Sequence, residues 1–159
     1  MSRGAELFQR ALLKCYNQDT VDRGEVVQGI REGDKLLHSN FRYYLAGELA
    51  DEIHIYLPQA GAVYLYGSTA VDQAGPSSDL DLMVLVEDKG GPFPPALKKV
   101  DLFLVTAYQI YFQLEQVKLE RLLDISLIDG IDLKQRRGPA ALIGSVFVPA
   151  LKIWPNQSL

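Results

Sequence analysis

Residues 6–16 carry one apolar stripe, Leu7, Phe8, Ala11, Leu12 and Cys15 recurring at three- and four-residue spacing, which predicts a helix with Cys15 in the core. Residues 21–37 lean the same way through Val26, Val27, Ile30 and Leu37, although Gly24, Gly29 and Gly33 each weaken a helix by about 1 kcal/mol relative to alanine. A third stripe, Leu45, Leu49, Ile53 and Tyr56, predicts a helix capped by Ser39 or Asn40 and stopped by Pro58. The pattern then changes period. The apolar, aromatic-rich run 62–66 reads as a buried strand ending in a tight turn at Gly67, and the run 80–86 as a second buried strand closed by the breaker Gly90-Gly91-Pro92. From Pro95 the positions Leu97, Val100, Leu104, Ala107, Tyr111, Leu114 and Val117 keep a helical stripe, with some strand propensity across 100–106. A helix unbroken to residue 122 would run about 40 Å at 1.5 Å per residue, so a kink or break is expected. Leu123, Ile125 and Leu127 alternate with Asp124 and Ser126, the period of a third strand with one polar face. Asp129-Gly130 turns the chain, and the tail offers a short helix after Pro139 and an apolar run at 145–148.

At 159 residues the chain has the length of one domain with a real core. The expected division is an N-terminal helical extension over 1–40, a core over 41–130 and a tail over 131–159 packing on that core. Hydrophobic residues at 48% and charged residues at 23% give a globular profile, and no apolar run reaches the roughly 20 residues that span a bilayer. With no apolar leader in the first residues, the expected location is the cytoplasm. One cysteine excludes an internal disulfide, and with His38 and His54 alone beside it there is no soft-ligand cluster for zinc, so any metal must be a hard, oxygen-bound one. The two histidines are expected on the surface. Tyr108, Tyr111 and Phe112 are expected to pack in the core or an interface. A net charge of −4 argues against a phosphate-tracking surface for long DNA or RNA, and the basic run Lys134-Gln135-Arg136-Arg137 reads as a solvated loop.

Chemistry concentrates in one stretch: Gly67-Ser68, ten intervening residues, then Asp79-Leu80-Asp81-Leu82 at the head of a strand. Side chains two apart on a strand share a face, so Asp79 and Asp81 stand side by side while Leu80 and Leu82 turn to the core. Two adjacent carboxylates repel unless a cation neutralises them, and Mg²⁺ favours carboxylates combined with substrate phosphate oxygens. Gly67 allows close approach of the backbone to a phosphate, and Ser68 adds a hydroxyl and exposed N–H groups.

The residues Tyr66-Gly67-Ser68-Thr69-Ala70 and Ser78-Asp79-Leu80-Asp81-Leu82-Met83-Val84, at this spacing, resemble the signature of the polymerase-beta-like nucleotidyltransferase superfamily, above all its small bacterial members, the minimal nucleotidyltransferases. The resemblance covers about residues 41–130. It implies an α+β fold, a small mixed β-sheet flanked by helices, and a reaction that moves a nucleoside monophosphate from ATP or another NTP to a hydroxyl acceptor with release of pyrophosphate. It further implies two Mg²⁺ ions held by Asp79, Asp81 and a third carboxylate, and a nucleotide-binding turn at Gly67, Ser68 and Thr69. The third carboxylate matches best at Asp124, with Asp101 as its rival and otherwise a solvated helix residue. Small bacterial members often carry an arginine directly after the Gly-Ser pair, where this chain has Thr69. Such members are often paired with a helical toxin that they bind and adenylylate, so a protein acceptor or toxin partner is a second implied reading, and an inert nucleotide-binding domain a third.

Overall fold

The helix expected from the second apolar stripe, over 21–37, is broken at Gly33, held at φ +81°, so that Leu37 falls in the next helix, which Asp34 starts by accepting a hydrogen bond from the N–H of Leu37 at 3.0 Å. In the computed structural model, which describes residues 3–18, 22–114 and 119–155, these stripes become α1 (Arg3–Gln18), α2 (Arg23–Arg31) and α3 (Lys35–Tyr56). The α3 cap is therefore Asp34 and not Ser39 or Asn40, which lie within its second turn. Next come β1 (Ala62–Tyr66), a 3-10 turn (Ser68–Val71), β2 (Leu80–Leu85), α4 (Pro95–Phe112), β3 (Leu123–Ile128), α5 (Gly130–Gln135), a second 3-10 turn (Gly138–Leu142) and β4 (Leu151–Trp154). The expected break after Pro95 falls at Gln113, which adopts the left-handed conformation and closes α4. Val21, where the second helix is expected to begin, and Val117, counted in the stripe after Pro95, lie outside the described residues.

The four strands form one mixed sheet in the order β3-β2-β1-β4, and with five helices they give an α+β fold. β1 runs antiparallel to both β2 and β4, whereas β2 and β3 are parallel and so require a crossover, which α4 supplies. The two faces of the sheet differ. Val63, Leu65, Leu80, Leu82 and Val84 point into the main core, where Phe8, Phe41, Tyr108 and Phe112 meet edge to face with ring centroids 5.0 to 6.3 Å apart. On the other face, Met83 and Ile128 are covered by Ala140, leaving the residues at the start of β2 and β3 uncovered. The sheet is packed by helices chiefly on one side, with its polar residues gathered at one end of the other.

One expectation fails inside this core. His38 is fully buried and not on the surface: its Nε2–H donates to the carbonyl of Ile30 at 2.8 Å, which makes Nδ1 the acceptor for the Tyr108 hydroxyl. Burial, aided by the nearby Arg42 charge, pushes its pKa down to about 4. The reason is that the His38 face of α3 packs against α2 and α4, which supply Ile30 and Tyr108 as its partners. Asp129 does not simply turn the chain but caps α5 reciprocally with Asp132. His54 is exposed and stacks on Trp154 with ring centroids 5.3 Å apart. Lys134, Gln135, Arg136 and Arg137 are exposed, the first two on α5.

Candidate functional site

The parallel register pairs Asp81 of β2 directly with Asp124 of β3, and residues in register on neighbouring strands share a face. Asp79, two residues ahead of Asp81, joins them. One carboxylate oxygen from each of Asp79, Asp81 and Asp124 lies within 4.8 Å of the other two, and all three side chains are half-buried. A cluster of this kind cannot remain fully ionised without cost. Burial and then the charges of Asp124 and Asp79 push the Asp81 pKa up to about 6, against the pull of Arg121.

Gly67 follows β1 with φ +76° and ψ −155°, a backbone state reserved in practice for glycine. It lies against the acid pair: a Cβ added here would sit 3.0 Å from Cγ of Asp81 and closer still to its Oδ2. Ser68 opens the 3-10 turn and is half-buried, whereas the Thr69 side chain is buried at 3% exposure with no hydrogen-bond partner for its hydroxyl. The turn is tied down by Ala70 N–H to the Gly67 carbonyl at 3.1 Å and Gln73 N–H to the Ser68 carbonyl at 2.9 Å. The spacer is held from below. Ser39 accepts from the N–H of Ala74 at 2.9 Å, and the buried guanidinium of Arg42 donates to the carbonyls of Ser78 and Pro76, so α3 sets the point where the chain enters β2.

The third carboxylate is expected at Asp124, with Asp101 as its rival, and the structure separates their positions. Asp124 stands with Asp79 and Asp81; Asp101 does not. Asp101 is half-buried and not solvated, because its Oδ1 accepts from the backbone N–H groups of Leu122 at 2.8 Å and Leu123 at 2.9 Å, anchoring α4 to the start of β3. An asparagine keeps that acceptor, so Asp101→Asn should leave stability nearly unchanged, whereas Asp101→Ala leaves two amides unpaired and should cost about 1–3 kcal/mol in urea denaturation. Equal losses in both variants would mean that the charge matters and not the hydrogen bonds.

Arg121 escaped the sequence reading. Its Nη2 lies 3.3 Å from Oδ2 of Asp79 and 3.4 Å from Oδ2 of Asp124, with the side chain 57% exposed. The signal that could have found it is a cation three residues ahead of the third carboxylate. Beside Asp124 a cleft of about 290 Å³ opens between the start of α4 and β3, floored by Phe93, Leu97, Leu123 and Ile125 and rimmed by Lys98, Asp101 and Arg121. Tyr108 and Phe112 belong to the core and do not line it.

The donor set suits a hard divalent cation. Three carboxylates supply oxygens only, the raised Asp81 pKa marks charge that a cation would relieve, and Gly67 keeps the adjoining space free of a side chain. A pH signature follows. Asp81 binds its proton more tightly in the fold than in the unfolded chain, so its contribution to stability is present at low pH and is lost as pH rises from about 4 through about 6. His38 acts in the opposite direction, because its lowered pKa makes stability fall as pH drops from about 6.5 toward 4. The Asp81 effect is therefore read as a difference. Metal-free Asp81→Asn should exceed wild type in melting temperature by a few degrees at pH 7.5, on the order of 1 kcal/mol after solvent screening, and by less at pH 5. Saturating Mg²⁺ should close the gap at pH 7.5, and a pH-independent gap would contradict the account.

Among the described residues no helix is long and apolar enough to cross a membrane. Compared with known proteins, the chain matches the family model "Polymerase beta, Nucleotidyltransferase" over residues 49–136, more than half its length, a span that holds β1, the Gly67 turn, all three carboxylates and α5. No curated protein and no solved structure matches it. With more than half the chain covered and three of the four strands, the turn and the acid cluster lying inside the match, this protein belongs to the polymerase beta nucleotidyltransferase family.

Proposed function

We propose that the chain transfers a nucleoside monophosphate, AMP from ATP in the simplest case, to a hydroxyl acceptor and releases pyrophosphate. The observation that carries this reading is the convergence of Asp79, Asp81 and Asp124 on one spot beside the Gly67 turn. Asp79, Asp81 and Asp124 are the residues that would hold Mg²⁺, as one ion or two. Bound there, Mg²⁺ supplies neutralisation of the triphosphate and lowers the pKa of the attacking hydroxyl.

The chain's own residues do the rest. Gly67 brings the backbone close to the phosphates, and Ser68 offers its hydroxyl and an N–H that the short turn leaves without an internal partner. Asp124 lines the 290 Å³ cleft and there accepts a hydrogen bond from the acceptor hydroxyl, aiming its oxygen at the α-phosphorus. The hydroxyl proton passes to the Asp124 carboxylate as the new bond joins that oxygen to the α-phosphorus. The bond to the β-bridging oxygen breaks, and its electron pair leaves with pyrophosphate. Asp101 and Arg42 work at a distance, one by anchoring β3 and the other by fixing the start of β2.

The direct test is release of pyrophosphate from ATP, GTP, CTP and UTP in the presence of Mg²⁺, across a panel of small hydroxylated molecules and protein acceptors. Metal-dependent release with label from the α-phosphate on the acceptor is the expected result. A protein that binds Mg-ATP with no release over any acceptor would instead be a nucleotide-binding domain. A second reading, in which the acceptor is a partner protein such as a helical toxin, draws on the exposure of Val146 and Phe147, at 88% and 90%, in the segment before β4. Label on a co-purifying partner would support it.

A further inference from the structure

Arg121 is the one cation that touches the carboxylates among the described residues, and it does so by bridging the outer two, Asp79 and Asp124. The same side chain lines two hollows, the 290 Å³ cleft on the Asp124 side and a hollow of about 220 Å³ bounded by Ser77, Asp79 and Glu120 on the other, so it forms part of the boundary between them. Other positive charges are otherwise engaged or stand farther off. Arg42 is buried under the spacer and committed to the carbonyls of Ser78 and Pro76, Lys35 bonds the side chain of Gln73 at 3.5 Å, and Lys98 lines the larger cleft without pairing to the three carboxylates. The turn and spacer, residues 67–78, contain no lysine or arginine at all. A triphosphate laid against Gly67 would thus find no cationic side chain on the turn itself, while an exposed guanidinium stands beside the acids on oxygens that a metal would need.

We propose that Arg121 is an exchangeable counter-ion: it competes with a divalent cation for the oxygens of Asp79 and Asp124, and when a metal–nucleotide complex binds, the guanidinium passes from the carboxylates to the phosphates. The exchange conserves charge pairing. The carboxylates gain the metal, the arginine gains the triphosphate, and neither is left bare in a half-buried cleft. Movement of the side chain also removes part of the boundary between the hollow at Ser77 and Asp79 and the cleft at Asp124. The exposure of Arg121 and its contact distances of 3.3 and 3.4 Å, long for a charge-assisted pair, suit a contact built to be broken. This inference rests on the nucleotidyl-transfer reading, and it asks a separate question of binding.

The test uses the whole chain and two probes: Mn²⁺ alone, and Mn²⁺ with the non-cleavable α,β-methylene analogue of ATP, each titrated calorimetrically into wild type, Arg121→Ala and Arg121→Lys. Loss of the competitor should make Arg121→Ala bind Mn²⁺ alone about 10-fold more tightly than wild type. Loss of the phosphate contact should make it bind the analogue complex at least 10-fold more weakly, with Arg121→Lys between the two. The opposed signs are the signature, because a merely structural role would weaken both. Melting curves confirm that the exposed substitution leaves the fold intact. An Arg121→Ala protein whose Mn²⁺ affinity is unchanged or reduced overturns the competition, and unchanged analogue affinity overturns the transfer to phosphate. Both leave the nucleotidyl-transfer reading standing as long as wild type binds the analogue. If wild type binds neither probe, both readings fall together.

Discussion

Asp81→Asn should reduce nucleotidyl transfer by about 10³-fold or more while leaving a folded protein that is, without metal, more stable than wild type at pH 7.5. The side chain keeps its shape and loses its charge. Asp81 is flanked in register by Asp124 and stands two residues from Asp79, so removing its charge relieves both the burial of a carboxylate and the repulsion that together push its pKa up to about 6. A substitution that strengthens the fold and abolishes the reaction marks a site arranged for chemistry at the expense of stability. Asp79→Ala should match it in rate. Asp72→Asn, on the same connection but exposed and in a left-handed conformation that asparagine tolerates, should change neither quantity. Initial rates of pyrophosphate release and melting curves in chelator decide the matter, and an Asp81→Asn enzyme within 10-fold of wild type would remove the basis of the mechanism.

Gly67→Ala should be the most damaging change that touches no charge. Its backbone at φ +76° and ψ −155° is costly for any residue with a Cβ, on the order of 1–3 kcal/mol. The added methyl also points at Asp81, 3.0 Å from its Cγ, and must push either the turn or the carboxylate aside. The expected result is a loss of about 2–3 kcal/mol in urea denaturation and about 100-fold in turnover, because a displacement of roughly 1 Å at the reacting groups is enough for that. Stability and activity at wild-type levels in this variant would show that the turn does not hold the close approach described above.

Much of this site was legible because its parts obey the two-residue period of a strand. Asp79, Asp81 and Asp124 alternate with Leu80, Leu82, Leu123 and Ile125, and the alternation alone puts the acids on one face and the leucines on the other. The third acid required the register as well, and only the closure of α4 makes Asp81 the partner of Asp124 and turns Asp101 into the clasp of that closure. The buried His38 and Arg42 were harder to read. Both sit on a helix covered on several sides, where a polar residue inside an apolar stripe reads as surface until its partners, Tyr108 and the carbonyls of the spacer, are known. Arg121 lies in an irregular segment with no periodicity to place it. Residues 151–154 carried too few residues and too little alternation to declare themselves a strand, because what makes them one is the free edge that β1 offers.

That last dependence has a practical consequence for anyone shortening the chain. A version ending at residue 149 would keep every residue assigned to nucleotide handling, yet it would strip β1 of its outer neighbour and uncover a row of unpaired amides and carbonyls, while His54 would lose its stacking partner. Naked strand borders recruit other strands. Such a truncation should sediment as oligomers or precipitate at concentrations where the untruncated protein stays dispersed, so the four-residue strand β4 serves as a hem that keeps one molecule from being stitched to the next.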